Sequence, residues 1–322
     1  MGATWIAKPV KALSAGEIED WYGLDWGPNL APSQTPDWGL AGIHLGVEPI
    51  LVFSPERRIS ALFLRSGTEA ECVNGPVYDW SCNRTAAEQN ELIGMTVHAL
   101  IQCRPNITRV TLRPRLQEKD LDSFLEKSAF PTDGVDRSST LRLKLDTPEE
   151  GGLFESLGSR IRHEVRRAIR DHSRAEHLDA KMAIDDFWNR CSSFYTKKNL
   201  WLPSREWIHQ LLARPDSGAL LIRAIHEPSQ STCELLAFPA GRCVFNLFAA
   251  ESRSTSCPNL SLNALAQWEA MRAFRARGYR TYDLNGISNP GSHDPEFQGV
   301  DTYKRKFKGE LLQFAHPLLR FG

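Results

Sequence analysis

The same order of local patterns occurs twice along this 322-residue chain, and it constrains the fold more than any other feature. In the first half, residues 49–54 and 58–65 are apolar runs separated by Ser54-Pro55-Glu56-Arg57, whose turn chemistry predicts a hairpin. Residues 86–103 then place Leu92, Ile93, Val97, Leu100 and Ile101 at helical spacing. Residues 106–113 alternate as a strand, with Ile107, Val110 and Leu112 among polar neighbours. In the second half, 219–226 and 233–238 are predicted strands joined by Glu227-Pro228-Ser229-Gln230. Gly241-Arg242 turns the chain into a third strand, 243–249. Residues 260–277 form an amphipathic helix stopped by Gly278, and 279–284 is again a strand. Hairpin, helix, strand in each half, with no sequence identity between them worth quoting, predicts two α/β units. The expected division is 1–148 and 149–322, with a last strand near 309–322 that packs back on the first unit. Before the first hairpin, the Trp-rich start (Trp5, Trp21, Trp26, Trp38) predicts packed irregular segments after a short helix near 15–21.

Two such units need two cores. Hydrophobic residues at 41% and charged residues at 24% supply them without disulfide or metal staples. Lys+Arg and Asp+Glu both number 39, so the molecule as a whole offers a polyanion no long-range attraction; nucleic-acid binding requires a local patch. One stretch qualifies. From Ser159 to Arg174 there are six arginines and two acids. Over 153–174, Leu153, Leu157, Ile161, Val165 and Ile169 recur every four residues, which predicts a basic helix with one apolar stripe. Such a helix is either a solvated face or a phosphate-binding one.

The seven cysteines, at 72, 82, 103, 191, 233, 243 and 257, include no C-x-x-C pair, so neither a zinc ribbon nor a dithiol redox motif is indicated. Scattered thiols, a start without a basic-then-apolar leader and no membrane-length apolar run give the expectation of a cytoplasmic protein without membrane insertion. His293, Asp294 and Glu296 share a loop, but their spacing matches no standard metal site, so no metal is expected. There is no G-x-S-x-G and no Cys or His in a nucleophile–base context.

The tail carries the most specific pattern. Tyr282-Asp283-Leu284-Asn285-Gly286 is followed, after a loop, by Tyr303-Lys304-Arg305-Lys306-Phe307-Lys308-Gly309. This resembles the Fem (FemABX-like) family of peptidyltransferases, whose members end on Tyr-Asp-Φ-x-Gly and then an aromatic-Lys-x-x-Phe-Gly-Gly segment. Lys308 stands where a glycine is commoner. Further along the family's order, Gln34-Thr35-Pro36-Asp37-Trp38 resembles its early Gln-Ser/Thr-x-x-Trp segment and Gly75-Pro76-Val77-Tyr78-Asp79 its Gly-Pro-Val turn. The basic helix and the stretch from Ala249-Ala250-Glu251-Ser252 through Pro258-Asn259 to Gly278 are also similar.

The resemblance implies an α/β (α+β) chain of two tandem acetyltransferase (GNAT)-like domains, each a mixed sheet flanked by helices, without the inserted coiled coil. It implies catalysis in the second domain: transfer of an amino acid from aminoacyl-tRNA to the amine of a peptide or muropeptide, possibly carrier-bound, in antibiotic or peptidoglycan assembly. An aminoacyl ester is already activated, so alignment and oxyanion stabilisation suffice. Lys304 is the expected cation for that charge and Tyr303 the expected wall of the acyl channel. Tyr282, Asp283, Asn285, Phe248 and Arg205 are the candidate substrate contacts, with Lys197 and Lys198 beside Arg205. Arg160, Arg162, Arg166, Arg167 and Arg170 are the candidate tRNA-phosphate contacts. Without the resemblance, Lys304 in a run with Arg305, Lys306 and Lys308 fits a solvated face, and Tyr282 and Asp283 fit a strand end and a loop cap.

Two donors compete. Acyl-CoA enzymes cradle pyrophosphate on a Gly-rich loop at a helix N-terminus. The equivalent stretch here, 250–259, contains no glycine, and Arg65-Ser66-Gly67-Thr68 in the first half is equally poor. That favours aminoacyl-tRNA, with no cofactor; the alternatives are an acyl-CoA-dependent N-acyltransferase and a non-catalytic binding module. After Trp38 only His44 is basic nearby, which weakens a diphosphate grip on a nucleotide-linked acceptor.

Overall fold

A computed structural model describes residues 4–24, 26, 30–78, 84–128, 130–147, 149–197, 202–213, 217–252, 260–292 and 297–322. Asp79, Cys82, Lys198, Cys257, Pro258, Asn259, His293, Asp294 and Glu296, singled out above, lie outside the described residues. The chain forms two compact units. One comprises 1–138 with 240–242 and 313–322; the other comprises 139–239 with 243–312.

The first unit runs β1 (Ile6–Pro9), α1 (Ala15–Gly23), α2 (Pro36–Gly42), β2 (Glu48–Ser54), β3 (Ile59–Ser66), β4 (Glu69–Val73), β5 (Val77–Tyr78), α3 (Ala86–Cys103), β6 (Arg109–Arg113), β7 (Leu116–Gln117), α4 (Leu121–Lys127) and the 132–138 portion of β8 (Thr132–Lys144). β2 and β3 are the expected hairpin, paired antiparallel from Glu48–Arg65 to Ser54–Ile59. Thr85 starts α3 with a reciprocal capping box to Glu88, so the helix begins where its hydroxyl satisfies an orphan amide. The helix crosses over to make β6 parallel to β4. Ile93, Val97 and Leu100 of α3 meet Ile50, Val52, Phe63, Val110 and Leu112 in one core.

The second unit repeats that plan with α5 (Glu150–Ser156), α6 (Ser159–Arg170), β9 (Ser173–Leu178), α7 (Ala180–Lys197), α8 (Arg205–Ala213), β10 (Leu220–His226), β11 (Ser231–Ala240), β12 (Cys243–Ser252), α9 (Leu262–Ala276), β13 (Thr281–Ile287), α10 (Gln298–Arg305) and the start of β14 (Glu310–Phe321). The β10–β11 hairpin, the α9 crossover and the parallel β12–β13 pair correspond to the order expected from the sequence. Gly278 ends α9 at φ 84°, a conformation open to glycine. α6 and α9 cover one face of the sheet, where Leu141, Leu143, Ile161, Val165, Cys233, Leu235, Met271, Phe274 and Tyr282 form the core.

The basic helix differs from its expectation. The chain leaves the helix at Leu157 and Gly158, restarts as α6, and ends at Arg170, so Arg174 lies on β9. Leu153, Leu157, Ile161 and Val165 are buried, but Ile169 is 56% exposed and Ala168 takes its place. A four-residue step advances about 40° beyond a full turn, so the stripe winds off the buried face. Gly158 allows the break: an ideal Cβ there would lie 1.9 Å from the Lys306 carbonyl oxygen. Gly158→Ala is expected to cost about 1–3 kcal/mol in chemical denaturation. Gly299→Ala in α10, where a Cβ meets nothing within 4 Å, is expected to be neutral or to stabilise by up to about 1 kcal/mol.

Candidate active site

β12 and β13 pair only at Cys243–Thr281, Val244–Tyr282 and Phe245–Asp283, although β12 continues to Ser252 and β13 to Ile287. Beyond Phe245 the two strands part. Asn246, the next residue, has a buried side-chain oxygen without a partner. On its other side β13 shifts register against β8 between Asp283 and Gly286, with Asn285 at φ 63°, a left-handed conformation that asparagine tolerates better than most residues.

This bulge positions Lys304. Its Nζ donates to the carbonyl of Gly286 at 2.5 Å and to that of Asn285 at 3.2 Å. The side chain is half-buried. Desolvation lowers its pKa to about 8 against the opposing pull of Asp283 and Asp301. Asp301 also accepts the Ser288 amide at 3.2 Å, tying α10 to the chain after β13.

Asp283 holds the bulge. It is fully buried and accepts from Arg142 Nη2 at 3.0 Å and Nε at 3.3 Å, from the Thr140 hydroxyl, and from the Asn285 amide at 2.8 Å. Arg142 stands directly opposite it on β8. Tyr282 points to the other face and donates to buried Gln267 of α9 at 2.7 Å. Both residues, candidate substrate contacts by sequence, lie inside the fold with their polar atoms engaged by protein.

Tyr303 faces the core beside Lys304. Its ring packs edge-on to Phe307 at 5.4 Å, with Lys306 Nζ 5.4 Å from its centroid. Its hydroxyl is buried without a hydrogen-bond partner, a situation that costs about 1–3 kcal/mol. Burial raises its pKa well above the ordinary phenol value, and Cys233, Glu164, Glu251 and Tyr282 act in the same direction. Lys308 adopts φ 59°, which explains why glycine suits that position; Gly309 follows, where a Cβ would lie 3.0 Å from the Arg142 carbonyl oxygen.

The other expected contacts are dispersed. Phe248 is buried against Tyr195 of α7 at 5.9 Å. Arg205 opens α8 and binds Asp185 at 2.6 Å; Lys197 is exposed at the end of α7. On α6, Arg160, Arg166 and Arg170 are 74%, 63% and 71% exposed. Arg162 donates to the carbonyls of Glu155 and Leu157 at the end of α5, and Arg167 to Ser261 at 3.0 Å. Glu164 joins this helix to the Lys304 segment through Lys306 at 3.2 Å.

Arg142, Thr140, Asp301, Asn246 and Gly158 were absent from the sequence candidates. For the first two a signal existed: in Thr140-Leu141-Arg142-Leu143-Lys144-Leu145 the leucines share one face, which leaves an arginine on the other. No group of three or more His, Cys, Asp or Glu among the described residues could hold a metal ion. No described helix is long and apolar enough to cross a membrane.

Residues 159–305 match the family model for the acetyltransferase (GNAT) domain. The chain is similar over 97% of its length, and 96% of the other's, to FemX, with TM-score 0.75 and 15% identity. The fold is that of a FemX-like GNAT protein. It is also similar to L-PGS from Bacillus licheniformis (TM-score 0.59, 12% identity, 96% of this chain and 92% of that one). The C-terminal domain of a putative lysylphosphatidylglycerol synthetase from Agrobacterium fabrum gives TM-score 0.59 and 14% identity over 94% and 92% of the two chains. No curated protein matches the sequence.

Removal of the buried countercharge tests the architecture of the site. Arg142→Met is expected to destabilise the protein by about 3–5 kcal/mol, because Asp283 is left buried and unpaired, whereas the double change with Asp283→Leu recovers most of the loss in denaturant titrations.

Proposed function

We propose that this GNAT-type transferase moves an aminoacyl group from aminoacyl-tRNA to the amine of a peptide or muropeptide. The observation that carries this is a single ammonium, Lys304, held by two carbonyls on a bulge beside the point where β12 and β13 part. When the amine adds to the ester carbon, the carbonyl oxygen becomes an oxyanion, and the Lys304 ammonium exchanges a carbonyl partner for that anion. Its partial desolvation strengthens the interaction and leaves the lysine close to its proton-release point. The tetrahedral intermediate then collapses, the tRNA 3′ oxygen leaves, and the amine's proton passes to it directly or through water. Asp283 and Arg142 fix the bulge that aims the lysine.

Lys304→Met is expected to lower kcat/KM by about 10²–10³-fold with the fold intact; a wild-type rate would remove the lysine from the chemistry. Because the ammonium is the active form, the wild-type rate should fall as pH rises through about 8. Lys304→Arg, charged throughout, should lack that limb at whatever rate it retains.

The exposed arginines of α6 are proposed to contact tRNA phosphates. Changing Arg160, Arg166 and Arg170 together to Gln should reduce the slope of log affinity against log salt by about 2–3. An unchanged slope excludes α6. Arg162→Ala should instead lower stability, since that side chain caps α5.

The acetyltransferase model match favours a second reading, acyl-CoA as donor. Incubation with charged total tRNA or with acetyl-CoA, followed by measurement of donor consumed, decides between them.

A further inference from the structure

Among the described residues, the other deeply buried phenols have partners. Tyr282 donates to Gln267, Tyr78 to the Gln89 carbonyl, and Tyr195 meets the Ala249 amide. Tyr303 differs: its hydroxyl is buried with no partner, one residue from the ammonium assigned to the chemistry. The surroundings have a sign. Glu164 on α6 and Glu251 on β12 both act on the hydroxyl as negative charges would. Lys306 lies over the ring and is engaged with Glu164 at 3.2 Å. A phenol oxygen with unused lone pairs in a field set by carboxylates is suited to accept a hydrogen bond from a cationic N–H.

We infer that the Tyr303 hydroxyl is the docking point for the free α-ammonium of the transferred aminoacyl group. This rests on the aminoacyl-transfer reading and narrows it. A donor with a free amine brings a charged N–H to the orphaned oxygen; an N-acetylated aminoacyl group offers only a bulkier, neutral amide N–H, and a simple acyl group offers none. Tyr303 thereby selects aminoacyl over acyl donors by binding, while Lys304 acts on the ester oxygen.

The test uses hydrolysis-resistant donor ends, 3′-amide-linked glycyl-, alanyl- and lysyl-adenosine, each with its α-amine free or acetylated. Calorimetric titration of wild type should show the free amine bound about tenfold to a hundredfold tighter than its acetylated form. Tyr303→Phe, which removes only the oxygen, should bring the pair within about twofold of each other. It should also raise the melting temperature, because an unpaired buried group has gone. Retained discrimination in Tyr303→Phe, equal binding of the pair by wild type, or binding of neither overturns the inference. Lys304→Met should keep the binding preference while losing transfer. If wild type shows the preference but transfers nothing from charged tRNA, the amine site stands and the transfer reading falls.

Discussion

The charge of Asp283 inside the second unit governs how its centre is built. A carboxylate there is costly to desolvate, and the chain answers it with a guanidinium directly opposite on β8, a hydroxyl two residues away from that, and the amide of Asn285. The last of these bonds pulls the strand out of register. The resulting bulge turns two successive carbonyls toward α10, and they hold the Lys304 ammonium. An ion pair that contributes little net stability thus fixes where one positive charge stands.

Around that centre, close packing does the remaining positioning. Gly158 allows the α5–α6 break to approach the end of α10, Gly309 passes against the Arg142 backbone, and Lys306 joins α10 to α6 through Glu164. α6 holds the segment 303–309 at Lys306 and β8 holds it at Gly309. The arginines of α6 divide by the same logic: Arg162 and Arg167 are used internally, and Arg160, Arg166 and Arg170 are left outward. A count of charges in the sequence does not separate these roles, because helical position relative to the sheet decides them.

How much was legible follows from the range of each interaction. The hairpins, both crossover helices and the parallel strands β6 and β13 were visible because turn residues, caps and apolar period are local signals. Residues 173–178 and 132–144 were not recognised as strands. The first follows a basic run that continues a helical pattern, and the second shows its alternation only at one end. A strict four-residue spacing places Ile169 on the buried stripe, but each such step over-rotates by about 40°, so by that turn of α6 Ala168 holds the buried face instead.

By itself the sequence determined the repeated α/β plan, the basic stretch, the lack of a glycine-rich phosphate loop at 250–259, and the aromatic-Lys segment near the end. Only the tertiary structure decided that Tyr282 and Asp283 face inward, that Arg142 answers Asp283 across 141 positions of chain, and that Tyr303 has a buried oxygen with no partner. Pattern reports which face of its own element a residue takes. Whether a polar atom on that face finds a partner depends on strands and helices distant in sequence, and that is settled only when they pack.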